Sequence, residues 1–185
     1  FKRSQNNVLE KVIIFTDRGI IYDRNKKELT WNKKMGEETS ETSIPVRDYL
    51  SPGFSHLLGY VSYPTMDSSG NFWQGEFIGK DGLEKQYNDL LKGENGAKII
   101  ETDALGKIYS ENIVNMPKQG TDLITTIDSR IQAELFNLIK NISANRTFTG
   151  GSGIIMDAQN GEIITITSFP EYNSGTLSLG KDTSA

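Results

Sequence analysis

Arg18-Gly19-Ile20-Ile21-Tyr22-Asp23-Arg24-Asn25 reads as a short strand held between two turns. Ile20-Ile21-Tyr22 is β-branched and aromatic, a composition that suits pleated, half-buried backbone. Asp17-Arg18-Gly19 before it and Asp23-Arg24-Asn25 after it carry turn residues. Upstream, Val12-Ile13-Ile14-Phe15 predicts an earlier strand. Downstream, Leu29 and Trp31 alternate with polar residues and predict a third. From Lys33 to Ser43 the chain turns polar, with Gly36 and the acids Glu37, Glu38 and Glu41, and reads as a loop or linker. Order is expected to resume at Leu57 to Val61, with Pro64 to Asn71 a further loop.

The rest of the chain alternates helix and strand signals. Leu83, Tyr87, Leu90 and Leu91 fall at helical spacing on one expected face. Asp81 is placed to cap that helix, Glu84 stands at the capping-box position, and Gly93 suits its C-terminal end. Ala97–Thr102 and Lys107–Ile113 predict two strands joined by a turn at Asp103-Ala104-Leu105-Gly106. Gln119-Gly120 reads as a boundary. After it, Leu123, Thr125 and Ile127 alternate as in a strand. Asp128 or Ser129 then caps a second helix with Ile131, Leu135, Leu138, Ile139 and Ile142 on one expected face. Past a glycine-rich connection, Gly153–Met156 and Glu162–Thr167 predict a hairpin closed by Asn160-Gly161. Thr176 to Ala185 carries no readable pattern.

Composition narrows the chemistry. The 185 residues carry a formal net charge of −4 and no basic excess, so no phosphate-tracking surface is expected and no nucleic-acid partner. Cysteine is absent, which excludes disulfides, thiolate nucleophiles and zinc–thiolate sites; neither metal nor cofactor is expected. His56 is the single histidine, so a Ser-His-Asp triad on any other histidine is excluded. No apolar run is long enough to cross a bilayer and no signal-peptide pattern opens the chain. A membrane anchor is expected to lie upstream of residue 1.

Three segments together resemble the N-terminal region of class B penicillin-binding proteins. The first, Arg18 to Asn25, follows the family's RGxIYDRNG, with Lys26 in place of the final glycine. The second, Ser55-His56-Leu57-Leu58-Gly59-Tyr60-Val61, is similar to HxLGYVG, with Ser62 replacing the last glycine. The third runs from Gly79 through Gly82, Glu84 and Tyr87 to Leu90-Leu91-Lys92-Gly93 and Gly96, like GxxGLExxYxxxLxGxxG. Gly120 to Gln132 and Gly153 to Pro170 extend the match, in family order, to the linker and the first hairpin of a transpeptidase domain.

The resemblance implies an α+β fold: an elongated, strand-rich pedestal with one main helix, then a helix and β-hairpin from the edge of a transpeptidase domain. It implies a pedestal, or dimerisation domain, over residues 1–119 and a truncated transpeptidase part over 120–185. The family's usual head insertion is expected to be reduced or missing around Lys33 to Ser43. The implied function is the non-catalytic N-terminal part of a membrane-anchored peptidoglycan D,D-transpeptidase, lying outside the cytoplasm; the elongation-type branch is the nearest match. Expected partners are peptidoglycan-synthesis and cell-elongation proteins, its own catalytic domain, β-lactams only through that domain, and a possible second copy. The alternative is a free-standing interaction module with no enzymatic parent.

Arg18, Asp23, Arg24 and Glu84 are expected to pair where the first and third segments meet; taken without the resemblance, they read as separate solvated charges. Gly19, Gly59, Gly79, Gly82 and Gly93 mark expected turns or close backbone contacts. Tyr22, Asn25, Tyr60, Val61 and Tyr87 complete the set of structural or interaction residues. No catalytic residue is expected. Ser178-Leu179-Gly180-Lys181 fits the S-x-x-K pattern of penicillin-reactive serines and Ser69-Gly70-Asn71 fits S-x-N, but their order is wrong and no K-T-G exists. Chance is the expected explanation, with Ser178 as a nucleophile the rival. Asn141-Ile142-Ser143 and Asn145-Arg146-Thr147 are chance glycosylation matches. Trp31, Phe72 and Trp73 read first as core or rim residues and second as interface anchors.

Overall fold

The computed structural model describes residues 8–33, 44–103, 105, 107–146 and 148–180. The protein is α+β and strand-rich. In chain order it runs β1 (Val8–Ile14), β2 (Ile21–Tyr22), β3 (Thr30–Lys33), β4 (Val46–Tyr49), α1 (Ser55–Leu58), β5 (Val61–Ser62), β6 (Thr65–Met66), β7 (Phe72–Gln74) and β8 (Ile78–Gly79). There follow α2 (Gly82–Gln86), α3 (Asn88–Leu91), β9 (Gly96–Thr102), β10 (Ile108–Asn115), β11 (Leu123–Ile124), α4 (Ser129–Arg146), β12 (Gly151–Met156), β13 (Ile163–Phe169) and α5 (Ser174–Ser178).

β9 sits between β1 and β10 in an antiparallel sheet. The inner end of this sheet, around Ile14, Gly96 and Ala97, meets the body, while Val8, Leu9, Ile108 and Tyr109 at the outer end are exposed. β2 pairs in parallel with β11, Ile21 opposite Leu123. β12 and β13 form the hairpin expected from Asn160-Gly161, and α4 packs across it. The core joins both halves of the chain. Ile21, Leu29, Phe54, Leu58, Leu91 and Ile127 bury together, with Leu83, Leu123 and Ile166 packed on them. Removing this apolar surface from water supplies the main driving force for bringing residues beyond Gly120 onto the body.

Several expected elements come out differently. The helix over Leu83–Leu91 is two short helices broken at Tyr87, whose φ of −109° and ψ of 25° lie outside the helical range. Its expected apolar face divides accordingly: Leu91 is buried, whereas Tyr87 and Leu90 are exposed. Asp81 makes no cap bond, and Glu84, fully buried, is turned inward to other partners instead of closing a capping box. On α4 the buried positions are Ser129, Gln132, Phe136 and Ser143, while Ile131, Leu138 and Ile142 face outward. Asp128 caps that helix, its Oδ1 accepting from Arg130 N at 3.0 Å. The expected loop Pro64–Asn71 contains β6, which pairs with β7, and β4 was not foreseen. The polar stretch 34–43 lies outside the described residues, and the turn positions 104 and 106 likewise.

Candidate functional site

Two polar clusters hold the core, and in both, side chains from helices and strands fix the backbone of loops. The first forms around Glu84, on α2. Arg18 Nε donates to Glu84 Oε2 at 2.6 Å and Arg47 Nε, from β4, donates to Oε1 at 2.8 Å. All three side chains are almost wholly buried, at 3%, 1% and 0% exposure for Arg18, Arg47 and Glu84. Two guanidiniums against one carboxylate leave an excess positive charge, which neutral acceptors spread. Arg18 Nη2 reaches the Glu84 carbonyl at 2.9 Å and Asn88 Oδ1 at 3.1 Å. Arg47 Nη1 reaches Asn32 Oδ1 at 3.0 Å and its Nη2 reaches the Gly19 carbonyl at 2.8 Å. Asn88 also accepts from Gly79 N at 2.9 Å, tying β8 into the cluster. Such a buried arrangement repays its desolvation only when nearly every donor is satisfied, so it specifies geometry more than it adds stability.

The expected four-residue network therefore divides. Arg18 and Glu84 meet, but Asp23 and Arg24 do not join them. Asp23 is buried in its own turn, where Oδ1 accepts from Asn25 N at 2.7 Å and Lys27 N at 2.8 Å. Its Oδ2 accepts from Ser129 N at 3.2 Å, across to the start of α4. Burial pushes the Asp23 carboxyl up, but the amides of Lys27, Ser129 and Asn25 outweigh it and hold it below its ordinary value. Arg24 lies at the surface and pairs with Glu162 Oε2 at 2.6 Å. Asn25 Nδ2 donates to Asp128 Oδ2 at 3.3 Å. Arg130 holds the Asp128 carboxyl well below the usual carboxylate range, against the upward push of burial. Tyr22 lends its carbonyl to Thr125 N at 3.0 Å.

The second cluster grips the backbone of one residue, Gly53, on both sides of its Cα. Gly53 N donates to Glu171 Oε1 at 2.7 Å, and Ser55 N to Oε2 at 3.1 Å. The Gly53 carbonyl accepts from Gln132 Nε2 at 2.8 Å and Thr167 Oγ1 at 2.9 Å. Gln132 Oε1 in turn accepts from Thr165 Oγ1 at 2.6 Å and Ile166 N at 2.9 Å. Tyr172 OH donates to the Ser55 carbonyl and Asp81 Oδ2, each at 3.0 Å, and burial together with Asp81 raises it above its ordinary range. Its ring stands edge-on to Tyr60 and His56, and His56 Nδ1 lies 2.9 Å from Ser168 Oγ.

Gly59 and Gly82 show why the second and third segments need glycine. Both take positive φ, 76° and 56°, and a Cβ on Gly59 would fall 1.8 Å from the Asp81 carbonyl oxygen. Gly93, at φ 65°, closes the turn after α3. Tyr87 is exposed and enters neither cluster. Val61 N is shared between Tyr49 OH at 3.1 Å and Ser178 Oγ at 3.3 Å. Ser178 is thus buried at the end of α5 on a backbone amide; Lys181, its partner in the S-x-x-K pattern, lies outside the described residues. Among the described residues no group of His, Cys, Asp or Glu is arranged to hold a metal.

Arg47, Gln132, Glu171 and Tyr172 escaped the sequence reading. Arg47 sits in a strand of four residues just past an unpatterned polar stretch. Gln132 stood within a segment that matched the family, yet its chemistry gives no sign of burial until its four bonds are seen.

Residues 37–125 match the family described as Penicillin-binding Protein dimerisation domain. The chain carries a penicillin-binding protein dimerisation domain. Among curated proteins, this dimerisation-domain chain is 34% identical over 98 residues to a probable peptidoglycan D,D-transpeptidase, PenA, of Neisseria flavescens, an alignment covering 51% of this chain and 24% of that protein. The chain spans about a quarter or less of the length of the curated relatives it matches. In fold it is similar to penicillin-binding protein 2X of Streptococcus thermophilus, with a TM-score of 0.73, 19% identity, and coverage of 94% of this chain and 37% of that one. It is also similar to a chain of the complex between penicillin-binding protein PBP2 and MreC from Helicobacter pylori, with a TM-score of 0.63, 23% identity, and coverage of 92% and 44%. No helix among the described residues of the dimerisation-domain chain is long and apolar enough to cross a membrane.

Proposed function

We propose that this chain is the non-catalytic N-terminal part of a serine-type peptidoglycan D,D-transpeptidase, anchored in the cytoplasmic membrane from upstream and working outside the cytoplasm. Residues 1–119 form its pedestal and residues 120–185 begin its transpeptidase domain. The pedestal fixes the orientation of the catalytic domain and docks other cell-wall synthesis proteins. The observation that carries this reading is the Gly53 grip. One pedestal residue, Gly53, is held on its N–H by Glu171 and on its carbonyl by Gln132 and Thr167, all three from the far side of Gly120. A rigid seat of this kind suits a support that must hold its load in one orientation. The named activity of the Neisseria relative supports the transpeptidase assignment. The PBP2–MreC complex supports docking of an elongation partner.

Fluorescent penicillin labelling of this chain beside its full-length parent, read on a denaturing gel, tests the assignment. Labelling of the parent alone is the expected result. Labelling of the chain itself, lost in Ser178→Ala, would make Ser178 a nucleophile and overturn the non-catalytic reading. A parent that takes up no penicillin would leave a free-standing interaction module as the better description.

A further inference from the structure

β1 runs inward: Val8 begins it at the outer end of the three-stranded sheet and Ile14 ends it against the body. Whatever precedes Val8 therefore joins the molecule at that outer end. The same end carries five apolar side chains, each more than half exposed: Val8 and Leu9 on β1, Leu105 in the turn after β9, and Ile108 and Tyr109 on β10. They are not confined to one face. Val8 and Ile108 flank Thr102 in one row, whereas Leu9 lies in the next row, opposite Glu101, and projects from the other face. A protein seated flat on the sheet would cover one face and leave the other wet, while a fluid apolar surround covers both. Ile113, Val114 and Met116 are exposed too, but they stand five or more residues past Ile108, roughly 16 Å or more along the strand.

The polar groups at this end suit a shallow contact. Asp103, the acid nearest the turn, has Oδ1 accepting from Leu105 N and Lys107 N, each at 2.9 Å. Lys107 carries its charge on a stem long enough to reach a headgroup while its methylenes lie along apolar surface. Glu10 and Lys11 follow Leu9 directly and limit entry to the turn and the first two rows. We propose that this tip rests in the phospholipid surface of the membrane, Leu105 entering furthest and the Tyr109 ring lying at headgroup level, to a depth of roughly 5–10 Å. The inference deepens the proposed function and rests on its upstream anchor for the side from which the membrane approaches. An anchor alone leaves the pedestal free to swivel on its tether. A second contact at the tip sets the height and tilt at which the pedestal stands.

The chain has no cysteine, so Leu105→Cys takes a polarity-sensitive fluorophore at one place, and Gln159→Cys, in the exposed hairpin turn, serves as the control. The whole chain is tethered to phosphatidylcholine vesicles holding a nickel-chelating lipid, through a histidine tag placed either before Phe1 or after Ala185. With the tag before Phe1, a blue shift and protection from iodide are expected at 105 and not at 159; with the tag after Ala185, neither is expected. Leu9→Ser together with Tyr109→Ser should lower the ratio of lipid-bound to free probe about tenfold, since two apolar side chains are lost from the contact. Both residues are exposed, so the double variant should fold. A probe at 105 that stays open to iodide overturns the contact and leaves the transpeptidase assignment standing; a parent that takes up no penicillin does the reverse. A shift that survives both serines is the fluorophore's own insertion and overturns the proposal. So does a lipid-free dimer that Tyr109→Ser dissolves, which would give the tip to a second copy.

Discussion

The body around Glu84 and Gly53 and the sheet β1–β9–β10 are held by the same means in different proportions: the sheet has the buried Lys98 paired with Glu111 at 2.6 Å and leans mainly on its backbone ladder. In the body, segments far apart in sequence meet through buried charges and the doubly gripped residue Gly53, and Ile21, Leu29, Leu58 and Leu91 are 0% exposed. At its outer end the sheet shows Leu9, Leu105 and Tyr109 at 70%, 93% and 77% exposure. A ladder of backbone bonds joins its strands, and β1 and β10 are both edges. Regular backbone pairing can stand on local register, whereas irregular loops keep one geometry only if side chains over-determine it. The difference teaches where sequence change should matter, and it can be pressed from either side.

The largest effect is expected at Glu84. Glu84→Ala leaves Arg18 and Arg47 buried without their counter-charge and should cost about 3–5 kcal/mol, read as a lower urea midpoint. A loss below about 1 kcal/mol would mean that water reaches the guanidiniums and that the body is looser than described. Next comes Gln132→Ala, which removes one of the two donors to the Gly53 carbonyl and takes the acceptor from Thr165 Oγ1 and Ile166 N. Destabilisation of about 1–3 kcal/mol is expected, with faster hydrogen exchange at the Gly53 and Ile166 amides.

Acid should act on the body through Asp23. Its carboxyl is held below the ordinary value of 3.8, so it contributes stability above that pH which is lost as pH falls toward the folded value. Urea midpoints of the natural chain should drop between about pH 5 and 3, and Asp23→Asn should flatten that drop. Unchanged curvature in the variant would assign acid sensitivity elsewhere. At the surface, Arg24→Ala removes a half-exposed pair with Glu162 and should cost less than about 1 kcal/mol. Smallest of all, Tyr109→Ser in the sheet should stay within about 0.5 kcal/mol. A larger loss there would show that Tyr109 braces the sheet in addition to its ladder and the Lys98–Glu111 pair.

Legibility followed the same division. Strands β2, β9, β10, β12 and β13 stood out because runs with β-branched or aromatic residues are bounded there by turn residues, which is a local property. The meeting of Arg18 with Glu84 came with the family resemblance; spacing alone left them as solvated charges. Hydrophobic periodicity placed Leu135 and Ile139 against the hairpin but misassigned the rest of the buried face of α4, since Ile131, Leu138 and Ile142 face outward while a glutamine and a serine turn in. That pattern counts apolar residues and is blind to a polar side chain whose partners are all non-local. Tyr87 interrupted the expected single helix for a similar reason. Gly79 and Gly82 bring backbone so close that the tertiary contact, and not propensity, sets where the turn ends.

The parallel pairing of β2 with β11 carries a consequence in time. Thr125 bonds to Tyr22 across 103 residues of chain. At synthesis rates of roughly 5–20 residues per second, β2 leaves the ribosome several seconds before its partner strand exists, with one edge and its apolar Ile21 unmatched. Until Leu123 emerges, nothing in the chain can cover that edge, and slowing translation between Tyr22 and Leu123 should lengthen the interval.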